Sequence, residues 1–497
     1  MTSSARTPML RSSRATSSRT SLLKVRRAPA TFQHNLFFII LAVVLWGSLF
    51  SLDIRGDAFS VYLPTTISFV LVGIVSFLGL YDAARERAFS LNTSHWTYVV
   101  FFLFYAPFIQ FLVQESSYQS DVGLFDKYAL WVNCATLIWC GLYSLFYGSS
   151  VLNAEPTPPP TNKPRYEYIC SNWTYLFTVA LCIMALGLLV MLLGLEVLLL
   201  RGAGSQISGD AADKSTFLIV NSMCRGIPVA ATGLLMLTRG KSKWVHWSAF
   251  TICALITFTM NNPIAIARFW FGSILIGFCC LYFHMRKIRM TGLWISLALT
   301  LAGLTIFPLL SATRNVTSAD QLSNIQFTND WSTNLTDADF DGYSMVAASM
   351  EWATREGASN GYQLMGNTLF WVPRMFWYDK PLGSGQMVAE YFDMVNTNMA
   401  EPMTAEAFVN FGWLGIPIFA FGFARLFSYF DRRYWGKGQK NLTSVLGVTY
   451  PFLTALTIYF LRGDYLSGLS SSLSLLGSSI FIIWIFQWTS RKIPATP

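Results

Sequence analysis

Charge is what this chain has least of. Only 12% of its 497 residues are Asp, Glu, Lys or Arg, against roughly 25% in an ordinary soluble domain. With 53% hydrophobic residues beside so little charge, no polar coat is available, and a soluble globular protein is excluded. Histidine is scarce too. His34, His95, His246 and His284 all map beside the inner ends of the apolar runs set out below, so none can act on the outer side. The eight cysteines (Cys134, Cys140, Cys170, Cys182, Cys224, Cys253, Cys279 and Cys280) lie in or beside apolar runs, with no CxxC pair and no zinc spacing. None falls in a segment assigned to the outside, so no disulfide is expected and they read as small buried hydrophobes. No phosphate-cradling glycine loop or serine-hydrolase elbow occurs, and Gly202-Ala-Gly204 lacks a strand-to-helix setting. No internal repeat is visible, which weighs against transporters built from inverted repeats.

What is present is a series of apolar runs of about 20 residues from Leu36 to Trp488, each able to cross a hydrocarbon core of roughly 30 Å. They predict an all-α, polytopic membrane protein of about twelve helices. The expected spans are Asn35–Leu52, Tyr62–Leu80, Trp96–Val113, Tyr128–Tyr147, Tyr175–Leu200, Phe217–Leu237, Trp247–Met260, Ile264–Phe283, Leu293–Leu310, Ala407–Phe427, Val445–Leu461 and Leu466–Trp488. The seventh and eighth form a hairpin around Asn261, Asn262 and Pro263. The formal net charge of +9 does not point to nucleic acid, because the basic residues cluster in short loops on one side. Arg85/Arg87, Lys163/Arg165, Arg239/Lys241/Lys243, Arg286/Lys287/Arg289, Arg432/Arg433/Lys437/Lys440 and Arg491/Lys492 join a basic tail there. Under the positive-inside rule both termini are cytoplasmic.

The chain divides into a Ser/Arg-rich, acid-free tail (1–31), nine spans (32–310), an outer loop (311–406) and three last spans (407–490). The tail has some transit-peptide character, but it reads first as a disordered cytoplasmic segment. The proline-rich stretch Glu155–Pro164 is a stiff cytoplasmic linker. The outer loop is too long and too rich in aromatics and methionine to be structureless. Within it Tyr343–Glu356 predicts a helix, with Met345, Ala348, Met350 and Trp352 to bury. Leu364–Tyr378 predicts a second, strongly apolar helix, interrupted by Pro373 and carrying Arg374, that lies in the interface or dips toward the bundle.

Ionisable groups inside a span cost roughly 2.5–3.5 kcal/mol on insertion scales, so they tend to face a cavity or a partner. Arg225 lies within the sixth span and Arg268 near the outer end of the eighth, where snorkelling to the interface is the alternative. Arg425, toward the inner end of the tenth, reads as structural. Together with Arg314, Arg374, Lys380 and Arg462, the cations Arg225 and Arg268 form a candidate outer-side site for pyrophosphate, which guanidinium groups bind in bidentate fashion. Among acids, Glu406 either acts chemically or simply complements a helix dipole in a first turn. Asp337-Ala-Asp339-Phe-Asp341-Gly342 opens like a calcium loop, but Ala348 occupies the position that needs an acid. It reads instead as a capped, solvated turn.

Trp371-Val-Pro373-Arg374-Met-Phe-Trp377-Tyr-Asp379-Lys380-Pro381, followed by Thr404-Ala-Glu406-Ala-Phe-Val-Asn410-Phe411-Gly412-Trp-Leu-Gly415, resembles the bacterial oligosaccharide repeat unit polymerases, the O-antigen polymerase family. Asn262-Pro263 followed by Arg268 fits the same pattern, and the basic tail does not. The motifs occupy about 50 residues, while the likeness in arrangement covers the whole chain. The resemblance implies a GT-C-like membrane fold and a metal-independent glycosyltransferase without cofactor, in the bacterial inner membrane. Its donor and acceptor would be undecaprenyl-diphosphate-linked oligosaccharides. Arg374 and Arg268 would stabilise the leaving diphosphate, with Arg225, Arg314, Lys380 and Arg462 in support. Trp377 and Asn410 would line the substrate site, and Glu406, or secondarily Asp379, would take the hydroxyl proton. A chain-length co-polymerase is the expected protein partner. The alternatives are an O-antigen-type ligase or other lipid-dependent glycosyltransferase, and a flippase or transporter. Lack of an outer histidine counts against the ligase, and the long outer loop counts against the transporter.

Overall fold

In hydrocarbon a backbone has no water to bond, so each apolar run must pair its N–H and C=O groups internally and folds as a helix. A computed structural model describes residues 32–49, 63–87, 89–114, 127–152, 166–195, 214–240, 242–285, 340–394, 399–435 and 443–494, with a few isolated positions. Among the described residues nine helices are long and apolar enough to cross a membrane. They are Leu63–Glu86, Leu91–Val113, Ala129–Gly148, Asn172–Leu192, Ile219–Leu237, Arg268–Met285, Met403–Trp435, Val445–Arg462 and Tyr465–Thr489. The first and seventh expected spans are also helical, over Phe32–Leu49 and Lys243–Met260, but neither is among the nine. The expected ninth span (293–310), the tail (1–31), the linker (155–164) and loop residues 311–334 lie outside the described residues.

Three boundaries differ from expectation, each for a local reason. The fifth span stops at Leu193, not Leu200, because Gly194 turns the chain at φ +81°. The eighth begins at Arg268 rather than Ile264, because the Asn262 side chain accepts from the N–H groups of Ile264 (2.9 Å) and Ala265 (3.0 Å) and holds a turn there. The tenth begins at Met403, so Glu406 lies inside the spanning segment and not before it. That segment changes direction through the short 3-10 turn Gly412–Leu414. Gly412 has φ +56°, and a Cβ on Gly415 would sit 1.8 Å from the Ala407 carbonyl oxygen. Both glycines of the Asn-Phe-Gly-x-x-Gly motif are therefore required by the backbone path.

The helices run between two ends. At one, called here the loop-bearing end, Gln110 Nε2 donates to the carbonyls of Leu335 (2.8 Å) and Phe340 (3.2 Å). Tyr343 OH donates there to Ala129 O (2.9 Å), and Arg462 pairs with Asp341. At the opposite end the Asp431 carboxylate accepts from Leu91 N (3.0 Å), Asn92 N (3.1 Å), Tyr147 OH (2.9 Å) and Tyr450 OH. The fold is not purely helical. At this opposite end Tyr166–Cys170 pairs parallel with Arg239–Gly240 and antiparallel with Arg491–Pro494, giving a three-stranded sheet. The most enclosed span, Leu91–Val113, carries a π-helical stretch over Val99–Tyr105 and packs its aromatic side chains through the main core with Phe69, Tyr343, Phe408 and Phe419.

Candidate functional site at the loop-bearing end

Between the eighth and tenth expected spans the described chain folds into three short helices, Gly342–Glu356, Tyr362–Thr368 and Ser384–Tyr391. They pack on the start of the span at Met403. The first matches the expected Tyr343–Glu356 helix. It ends at Gly357, which takes φ +88°, the left-handed conformation that favours glycine. Met345 and Ala348 bury against Val388, Ala389, Met399 and Val409, and Met350 joins the main core.

The expected Leu364–Tyr378 helix is formed only over its first residues. It ends at Thr368, and residues 369–380 make successive turns. Pro373 disfavours helix in the residue before it, and Lys380 supplies what the backbone then lacks. Its buried Nζ donates to the carbonyls of Phe370 (2.8 Å) and Val372 (3.0 Å), while Arg374 Nη1 donates to Lys380 O (2.7 Å). Pro381 packs on Gly366, where a Cβ would sit 2.2 Å from the ring. The Lys-Pro pair thus clips the loop onto the preceding helix.

Beneath that loop lies an enclosed polar cluster. Glu406 is fully buried. Its Oε1 accepts from Asn367 Nδ2 (3.2 Å) and Asn410 Nδ2 (3.0 Å), and Asn367 Nδ2 also reaches Ser384 Oγ (3.2 Å). Asn410 Oδ1 accepts from Leu364 N (2.8 Å) and Ser359 Oγ (3.1 Å). One carboxylate and two amides thereby moor the short helix to the membrane segment. Two further acids belong to the cluster. Glu401 Oε1 accepts from Ser349 Oγ (2.8 Å), and Asp464 Oδ2 caps the last helix by accepting from Ser467 N (3.1 Å) and Oγ (3.2 Å). Among the described residues Glu406 Oε2, Glu401 Oε2, Asp464 Oδ1 and Asn367 Oδ1 are buried without a hydrogen-bond partner. Each of these four atoms is a buried acceptor left over, and the hydroxyls of Ser344 and Thr404 on the helices that build this region are likewise buried without a partner. Burial pushes the Glu401 carboxyl well above the usual carboxylate range, and the neighbouring charge of Glu406 adds to the shift. Burial also raises Asp464.

Among the described residues the expected cations each make their own contacts. Arg225, buried in its span, donates from Nε to Asn221 Oδ1 (2.8 Å) and from Nη1 to Met260 O. Asn261, whose Oδ1 accepts from Trp270 Nε1 (2.8 Å), donates to Arg225 O (3.4 Å). Arg268 is buried at the first position of its helix. Arg462 pairs with Asp341 (2.8 Å) and lies 5.0 Å from the Phe269 ring centre. Asp341 is therefore buried in an ion pair, not the solvated cap expected. It leaves its helix uncapped by a side chain, while Asp337 and Asp339 lie outside the described residues, as does Arg314. Arg374 is exposed on the loop. Trp377 sets its ring edge-on to Tyr362 (6.1 Å), and Asp379, exposed, accepts at its carbonyl from Tyr362 OH. Arg425 lies 5.8 Å from the Phe421 ring centre.

The structure thus joins Glu406 to Asn410, and Arg374 to Lys380. Sequence reasoning missed Asn367, Ser384, Glu401 and Asp464. For Asp464 a signal existed, an acid three residues before Ser467 at a helix start. Comparison with family models, with curated proteins and with solved structures returns no match.

Proposed function

We propose that the chain joins polyprenyl-diphosphate-linked oligosaccharide repeat units at the outer face of a bacterial inner membrane, with both termini cytoplasmic and the 340–402 region outside. The supporting observation is the set of buried, unpartnered acceptors around Glu406 and Asn367, where Asn367 and Ser384 flank the Arg374 loop. A sugar offers many hydroxyl donors and a diphosphate offers anionic oxygens, so one lipid-linked glycan answers both needs. In this reading an acceptor hydroxyl attacks the anomeric carbon of the donor. The new C–O bond forms as the bond to diphosphate breaks, and its electron pair leaves with the diphosphate. Arg374 and Arg268 stabilise that charge, supported by Arg225, Arg314, Lys380 and Arg462. Glu406 receives the hydroxyl proton when the enclosed cluster opens to substrate, with Asp379 as the exposed second candidate. Trp377 and Asn410 line the glycan.

The test is a deletion strain complemented with Arg374→Ala, Glu406→Gln or Asp379→Asn, scored on the surface polysaccharide ladder at matched protein level. Loss of the ladder with single repeat units still transferred to their acceptor is the expected outcome for deletion and for Arg374→Ala. A full ladder in Arg374→Ala and Glu406→Gln together would remove the site assignment. Complete loss of single-unit transfer as well would indicate a ligase, and lipid-linked units trapped on the cytoplasmic side would indicate a transporter.

A further inference from the structure

The loop 369–382 carries a second feature that glycosyl transfer does not require. Trp371, Met375, Phe376 and Tyr378 are 60%, 81%, 76% and 89% exposed, so four large side chains stand out from a single short loop. Soluble surfaces scatter such residues singly, and a contiguous group marks a contact. The loop is held in shape by Lys380 and Arg374, as described, so the display is built and not incidental.

Its position names the occupant. The loop springs from Thr368, whose hydroxyl lies 3.5 Å from Tyr465 OH at the first residue of the last spanning helix. One turn back, Leu364 N donates to Asn410, in the spanning segment Met403–Trp435. The root of the loop is therefore level with the first residue of one membrane helix and with the early turns of another. Large apolar side chains are also exposed at Tyr362 and Met365 on the short helix and at Leu414 and Ile418 on the adjoining span. Trp and Tyr favour the membrane–water boundary, and an exposed guanidinium in their midst complements lipid phosphate.

We propose that residues 369–382 form an interfacial foot seated in the leaflet at the loop-bearing end. Trp371, Met375, Phe376 and Tyr378 lie among glycerol backbones and upper acyl chains, with Arg374 at phosphate depth. The foot holds Arg374 at the depth where a lipid-linked diphosphate resides. That consequence depends on the polymerase reading, whereas the foot itself does not.

The full chain is reconstituted in vesicles of phosphatidylethanolamine and phosphatidylglycerol containing no polyprenyl lipid. A photoreactive benzoylphenylalanine replaces Phe376 or, as control, Tyr391, which is exposed but hydrogen-bonded to Glu356 (2.8 Å). Irradiation is expected to give at least about fivefold more phospholipid adduct at Phe376 than at Tyr391. Equal yields, or adducts from Phe376 to the chain itself, overturn the proposal. A spin label at Tyr378→Cys gives an independent reading: relaxation dominated by oxygen supports the foot, and relaxation dominated by a water-soluble nickel chelate overturns it. Because no carrier lipid is present, a positive result stands even if the polymerase reading fails.

Discussion

Buried carboxylates occupy both ends of the bundle, and they are treated in opposite ways. At the end away from the loop, Asp431 has both oxygens used by two backbone N–H groups and two tyrosine hydroxyls. It caps the start of the Leu91–Val113 segment from a helix about 340 residues later. Around Glu406 three acids each keep one buried oxygen without a donor. A fully satisfied buried group is a fastener. A buried group left short in a well-packed region is the place to look for a proton, a ligand or stored strain. The contrast separates the carboxylate that holds the bundle together from those with spare capacity for chemistry.

Substitution at the fastener should give the largest effect on stability. Asp431→Ala orphans four donors in an enclosed setting, each costing about 1–3 kcal/mol where water cannot replace the lost acceptor. A loss on the order of 5 kcal/mol is expected, read as a collapse of accumulation or of the thermal transition in detergent. A variant that accumulates and melts like the parent would break the comparison at its firmest point. Asp341→Ala comes next. It leaves Arg462, with its side chain 12% exposed, lacking its carboxylate, for a loss of about 3 kcal/mol. Adding Arg462→Met should recover most of that loss, and failure to recover would show that the pair is not what holds the loop-bearing end. Glu406→Gln should move the melting temperature far less, by under about 1 kcal/mol equivalent, because its remaining carbonyl oxygen can still accept from Asn367 and Asn410. The ladder should nevertheless be lost. Stability lost in step with activity would make Glu406 a second fastener.

These assignments differ in how far they could be read from residues alone. Spans are legible because 20 apolar residues satisfy a local rule. The Gly342–Glu356 helix was legible because its apolar spacing and closing glycine are local as well. The end of the next helix at Thr368 was half-legible. Pro373 announces a break, but the ammonium of Lys380 that stabilises the resulting turns acts from ten residues beyond Phe370. Asp431 was not legible at all. It precedes Arg432 and Arg433, which count only as positive-inside charge, and its partners at Leu91 and Asn92 meet it only in the folded bundle. Glu401 and Asp464 were hidden in the same way. Each looks like an ordinary loop acid until folding brings 349, 401, 406 and 464 together. Pairing with Asn221 and a helix-end carbonyl likewise accounts for Arg225 at its depth.

The smallest effect sharpens the comparison through pH. Glu401 lies outside the spans, and burial next to Glu406 raises its carboxyl well above the usual carboxylate range. A raised acid means that, between the unfolded value and the higher folded value, the folded chain binds more proton than the unfolded chain. Stability must therefore fall as pH climbs through that window, and it is insensitive to this group below the unfolded value. Glu401→Gln removes the titration, and its carbonyl can keep the bond from Ser349 Oγ (2.8 Å in the parent). Melting temperatures of parent and variant should converge at about pH 4, at the unfolded carboxyl's ordinary value, and separate as pH rises, with the variant the more stable near pH 8. Parallel curves would mean that the carboxyl is not displaced by burial and that the spare oxygen at Glu401 is satisfied by solvent. The cluster at the loop-bearing end would then be as well satisfied at this position as Asp431 is at the other end, and the difference between the two ends would rest on Glu406 and Asp464 alone.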